Sequence, residues 1–192
     1  AALDVQDSCG AGDVSNWSMV SFTSLPNMHS FPLMEDFEDS TLYFENEAGS
    51  GTPWVLTSTL AHTGSQSAYN GYASNNVNVL HETGIIDLSS AGAPVIEFWH
   101  IAKTEGGWDQ CFVQVSTDGG VTYNNIPSSA YRGSGTYSGY FHEDSYADWG
   151  TSSTTPDNSW WKKEVFDLQA YNVANVRFRF VLESDGSGQR AG

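Results

Sequence analysis

Four carboxylates crowd one short stretch of this chain: Glu35, Asp36, Glu38 and Asp39. Read as a strand, the stretch points Asp36 and Glu38 to one side and Phe37 to the other. Two carboxylates on one side repel unless a cation or a hydrogen-bond donor compensates. The histidines His62, His81 and His100 have no zinc-ligand spacing. His81-Glu82 is followed by Thr83-Gly84-Ile85, where a metalloprotease helix needs a second histidine. His100, inside a strand pattern, is expected to be packed or hydrogen-bonded. Glu143 and Asp144 are adjacent, so on a strand they point apart, whereas glycoside cleavage needs two facing carboxylates. No Gly-x-Ser-x-Gly elbow occurs, and Gly133-Ser134-Gly135 lacks the lysine and the following helix of a phosphate loop. These patterns argue against an enzyme.

The richest binding chemistry is aromatic. Residues 127–159 are dense in Gly, Ser, Tyr and Asp, and they carry Tyr131, Tyr137, Tyr140, Phe141, Tyr146 and Trp149. Disordered loops are poor in aromatics, so this long loop is expected to be folded. Tyr131, Tyr137, Tyr140, Trp149, Trp160 and Trp161 are the candidate ligand-binding rings, able to stack on sugars or anchor a protein partner. The alternative is that the same rings fold the loop onto the domain.

The elements that must position these groups read as strands. Trp54-Val55-Leu56, Ser67–Tyr72, Asn78–His81 and Ile85–Leu88 come first. In Val95–Ile101 the residues Val95, Glu97, Trp99 and Ile101 face one side, and Ile96, Phe98 and His100 the other. Phe112–Ser116 runs into Asp118-Gly119, which predicts a hairpin with a type I′ turn. Trp161–Leu168 and Asn175–Leu182 complete the set. The last places Val176, Phe178, Phe180 and Leu182 on one face and Arg177 and Arg179 on the other. The only helix expected is a turn or two near Tyr171. Residues 1–33 lack periodicity and read as an N-terminal arm or the remnant of a preceding segment. The domain proper is placed at 34–192.

Composition agrees with an all-β chain. Of 192 residues, 14% are aromatic and only 16% charged, with 19 glycines punctuating short apolar runs. The net charge is −16, so phosphate backbones and anionic membranes are repelled, and neither nucleic acid binding nor membrane insertion is expected. No run approaches the roughly 18 apolar residues of a membrane span. Such a surface suits divalent cations, and it equally keeps an extracellular protein dispersed. Cys9 and Cys111 are the only cysteines. One bridge between them and two free thiols remain equal alternatives.

Several landmarks then occur in order: Asp36-Phe37-Glu38, His62–Ala68, Phe98-Trp99-His100, Val113–Gly120, Ser159-Trp160-Trp161 and Val176–Phe180. Together they resemble the MAM-like jelly-roll domains of secreted bacterial multidomain proteins. The resemblance implies a two-sheet antiparallel jelly-roll β-sandwich with an irregular N-terminal arm and one long aromatic-rich loop. It also implies a non-catalytic adhesion or interaction module, secreted or at the cell surface. Such modules often accompany a peptidase or adhesin and are often cargo of type IX secretion. The expected partners are neighbouring domains of the same polypeptide, secretion machinery or cell-surface proteins. The other reading is a carbohydrate-binding module, with glycans as ligands. In metal-binding members the Glu after the first-strand Phe contributes to a cation site, a position held here by Glu38. Asp109 is the second candidate and Asp36 the third, for a structural Ca²⁺ completed by backbone carbonyls; surface carboxylates or turn caps are the alternative. In these relatives a last strand follows the segment after Ser184-Asp185-Gly186. The sequence here reads Arg190-Ala191-Gly192, so the domain at 34–192 is expected to lack that closing strand or to receive it from a following segment.

Overall fold

Short alternating runs with few helix formers leave strand pairing as the way to satisfy backbone polar groups. The computed structural model describes residues 27–39, 42–71, 73–150 and 153–192. Its strands are β1 (Met28–His29), β2 (Phe44–Asn46), β3 (Val55–Thr57), β4 (Ser67–Tyr69), β5 (Val77–Glu82), β6 (Ile85–Ile86), β7 (Val95–His100), β8 (Gln110–Ser116), β9 (Asn124–Asn125), β10 (Lys162–Asp167) and β11 (Arg177–Glu183). Among the described residues no helix is long and apolar enough to cross a membrane.

The architecture is an all-β sandwich. One layer is a five-stranded sheet in the order β2-β5-β11-β8-β9, antiparallel throughout. Register places Leu80, Phe180 and Val113 in one row, and their side chains face inward. The other layer contains the antiparallel pairs β7-β10 and β3-β4. Phe98 and Phe166 stack 6.2 Å apart in that layer, and Phe98 meets Phe180 edge-on at 5.0 Å. Each buried ring contributes about 1.5–3 kcal/mol by leaving water.

The alternations hold as expected within β7 and β11, but Ile101, expected beside Val95, Glu97 and Trp99, lies past the end of β7 and packs against the core. Ile96 and Phe98 pack on the core, while Val95 and Trp99 are exposed. The turn near Tyr171 is a single 3-10 turn, Gln169–Tyr171, but it does not stand alone as expected: the aromatic loop adds the 3-10 turns Ser128–Ala130, Glu143–Ser145 and Ala147–Trp149. The β8–β9 hairpin is also present, but its turn is longer than a two-residue type I′. Positive φ falls on Gly119 and Gly120 rather than on Asp118. Asp118 instead gathers the loop, accepting from the N–H groups of Val121 and Thr122 and the hydroxyls of Ser116 and Thr122. Those hydrogen bonds, Thr122's first, hold its carboxyl well below the usual range.

Two expectations need correction. The segment at 34–39 is not a strand: Phe37 takes a φ of 62°, and Glu35 accepts from the N–H groups of Phe37 and Tyr43. Carboxylate-to-backbone bonding has displaced strand pairing there. Met28–His29, inside the expected arm, pairs in parallel with Ile85–Ile86. Residues 1–26, with Cys9, lie outside the described residues.

Candidate interaction surface

The aromatic loop folds onto the core. Tyr137, Trp149 and Trp160 are buried, Trp149 completely. Trp149 donates its ring N–H to the Trp160 carbonyl at 2.7 Å, and the Tyr137 hydroxyl donates to the Ile126 carbonyl at 2.9 Å. These three rings build the core and offer no face to a ligand, because burying large apolar rings outweighs leaving them wet. Tyr140 is half-buried over Val79, Phe112 and Val181 on the far side of the five-stranded sheet. Tyr131 is half-buried against Phe166 and Phe141. Of the six candidate rings, Tyr140 pairs with the half-buried His142 ring at 5.7 Å, and Trp161 joins a cluster with His62 and Trp99.

Beneath that loop the titratable side chains converge on a fully buried carboxylate, Glu164. It accepts from His100 Nε2 at 2.9 Å, from the Tyr131 hydroxyl at 2.5 Å and from the Tyr146 hydroxyl at 2.8 Å. Burial first, and then the Glu164 contact, raise the Tyr131 hydroxyl above its ordinary pKa. A second buried set centres on Lys103, fully buried, whose Nζ donates to Glu143 Oε2 at 2.7 Å and lies 5.7 Å from the Trp160 ring. Burial pushes Glu143 up, but Lys103 and then Arg190 outweigh it and hold the carboxyl below its usual value. Cys111 carries a free thiol, which burial pushes up to about 12 despite the Thr104 hydroxyl.

The expected cation ligands do not assemble. Among the described residues no group of three or more His, Cys, Asp or Glu side chains could hold a metal ion. Both Glu38 oxygens are already used: Oε1 accepts from the N–H groups of Ser65 and Gln66 at 2.8 and 2.7 Å, and Oε2 from the Ser65 hydroxyl at 2.6 Å. Those bonds lower its pKa. Asp36 Oδ1 accepts from the Glu38 N–H at 3.1 Å. Asp109 is fully buried elsewhere: Oδ1 accepts from the Asp185 N–H at 2.9 Å, and Oδ2 has no protein partner. Asp36, Glu38 and Asp109 are thus not brought together among the described residues.

The ring cluster that the structure exposes joins one sequence candidate, Trp161, to two rings that were not candidates, His62 and Trp99. His62 stacks on Trp99 with centroids 3.7 Å apart and planes 15° from parallel, and Trp161 stands edge-on to His62 at 6.3 Å. Trp99 projects from the outer face of β7 and is 43% exposed. His62 sits in the loop between β3 and β4. Glu38 fixes that loop through Ser65 and Gln66, and Ser67 fixes it by donating its hydroxyl to the Leu60 carbonyl at 2.7 Å. Asn158 Oδ1 accepts from the Ala61 N–H at 3.1 Å and from the Trp161 ring N–H at 3.3 Å, tying the two ring-bearing segments together. Alternation in β7 set Trp99 on the face opposite Phe98, but no local pattern linked it to His62.

Comparison with protein-family models, with curated proteins and with solved structures finds no match.

Proposed function

We propose that this domain is a non-catalytic recognition module of a secreted or cell-surface protein, serving adhesion or the docking of neighbouring domains, secretion machinery or cell-surface proteins. The observation that carries this reading is the His62–Trp99–Trp161 ring cluster, held on the outer face of β7 by a hydrogen-bonded loop. Large exposed rings on a rigid scaffold are what recognition surfaces use as anchors. The burial of Glu164 supports the non-catalytic part, because its three donors saturate it away from any substrate. The acidic composition and the resemblance to MAM-like jelly rolls support an extracellular setting. Calcium enters this reading only through Asp109, whose partnerless Oδ2 is a buried oxygen that a cation or a water would satisfy.

A second reading, glycan binding, is favoured by the flat His62–Trp99 stack, since sugar rings pack on such faces. Beads carrying the domain, challenged with protein-coated and polysaccharide-coated surfaces, separate the two. Retention on either surface that falls severalfold with Trp99→Ala supports recognition through this face. Retention on polysaccharide alone selects the glycan reading. Retention that ignores Trp99→Ala removes the ring cluster from the account.

A further inference from the structure

The ring cluster shares its face with an ion pair. In the β7–β10 pair Trp99 lies opposite Lys163, and Glu97 lies opposite Val165. Residues opposite each other in an antiparallel pair share a face, as do residues two apart on one strand. Glu97 and Lys163 therefore stand on the face that carries Trp99. Their side chains are 49% and 45% exposed, and Lys163 Nζ meets Glu97 Oε1 at 2.8 Å. Among the described residues neither side chain has another polar partner.

An exposed Lys–Glu pair contributes little to stability, because water competes with the partner on nearly equal terms. The pair is therefore open to exchange. The ammonium carries several donors and the carboxylate several acceptor sites, and one contact between them leaves most of these facing solvent. Two residues along a strand cover about 7 Å, so Glu97 stands about one sugar ring's length from Trp99. The face thus offers an aromatic surface and, next to it, a donor–acceptor pair. A pyranose has the matching halves: C–H groups that pack on rings, and edge hydroxyls that both donate and accept. A protein anchor is matched less well, because anchoring side chains fill desolvated pockets and this is the outer surface of a sheet. Charge narrows the ligand further. The Glu97–Lys163 pair is neutral as a unit and the chain carries −16, so a polyanionic glycan is repelled and a neutral one is not.

We infer that the outer face of the β7–β10 pair binds a neutral oligosaccharide in two adjoining subsites. One sugar ring packs on the exposed His62–Trp99 stack beside Trp161, and the next is held through its hydroxyls by Glu97 and Lys163. The sugar chain runs along β7 from Trp99 toward Val95. This inference rests on the glycan reading of the ring cluster, and it adds the ligand's charge, its direction and the two residues that grip the second unit.

The test titrates the whole chain with cellohexaose, xylohexaose and mannohexaose, with hexagalacturonate as the anionic counterpart. At least one neutral hexamer should bind saturably. Hexagalacturonate should bind severalfold more weakly at low salt, with the gap closing as salt is added. Glu97→Ala and Lys163→Ala should each weaken the neutral hexamer severalfold at an unchanged thermal midpoint. A methyl glycoside of the same sugar fills only the ring subsite. Its shift of the Trp161 indole N–H resonance should therefore survive in both variants and disappear in Trp99→Ala. No saturable binding by any neutral hexamer, full binding by both Glu97→Ala and Lys163→Ala, or hexagalacturonate bound as tightly as the neutral hexamer would overturn the inference. Its failure is separable from that of the recognition reading. Retention on a protein-coated surface that Trp99→Ala abolishes, without oligosaccharide binding, keeps the ring face as a recognition surface and overturns the sugar subsites.

Discussion

His100 Nε2 and Glu164 Oε1 meet at 2.9 Å across the β7–β10 pair, and the carboxylate they share with Tyr131 and Tyr146 has no contact with water. A buried carboxylate costs several kcal/mol unless donors replace its hydration. Here three donors do so. Glu164→Ala takes the acceptor from His100 and leaves the Tyr131 and Tyr146 hydroxyls the longer 3.4 Å contact with each other, and it should cost about 3–5 kcal/mol in denaturant unfolding. Glu97→Ala, a surface change on the neighbouring strand, should stay within about 0.5 kcal/mol. A loss below about 1 kcal/mol at Glu164 would show that the cluster does not hold the loop to the sheet.

Glu82 gives the protein a pH dependence of unusual sign for a carboxylate. It is fully buried, and burial pushes its pKa from 4.5 up to about 7 despite the Phe178 N–H and Arg177. The folded state therefore holds a proton that the unfolded state has released between those values. Stability from this group is complete below about 4.5 and is lost as pH rises through about 7, by about 3 kcal/mol. His29 beside it is lowered by burial and then by Arg177, and acts in the opposite direction. Comparing unfolding free energies of the wild type and Glu82→Gln from pH 4.5 to 8 isolates the carboxyl. The difference should move toward the variant by about 3 kcal/mol across that range, and a flat difference would contradict the assignment.

Glu38 is a loop clamp. Glu38→Ala should lower the thermal midpoint by the same amount in Ca²⁺ and in EDTA, because its oxygens are spent on Ser65 and Gln66. It should also change the emission of Trp99 by loosening the loop that carries His62. A Ca²⁺-dependent rise in midpoint present in the wild type and lost in Glu38→Ala would restore this residue as a ligand.

The sheets were largely legible. Alternation at 95–100 and 177–183 predicted which side chains share a face, because strand geometry imposes a period of two; which face meets the core came only from the packing. The Asp118-Gly119 pair marked its hairpin, but not the length of the turn. What local pattern could not show is competition for hydrogen bonds and distance in sequence. The Glu35–Asp39 stretch alternates like a strand, yet its carboxylates find nearer backbone donors. The loop aromatics read equally as platform and as core, and burial decided for core at Tyr137, Trp149 and Trp160. The His62–Trp99 stack joins residues that become neighbours only when the β3–β4 loop is fixed beside β7.

The most direct test of the recognition reading is retention of domain-coated beads on protein-coated and polysaccharide-coated surfaces, comparing the wild type with Trp99→Ala at matched thermal stability. The account predicts retention by the wild type on at least one surface and a severalfold loss in the variant. Equal retention by the two proteins, or none by either, would contradict it.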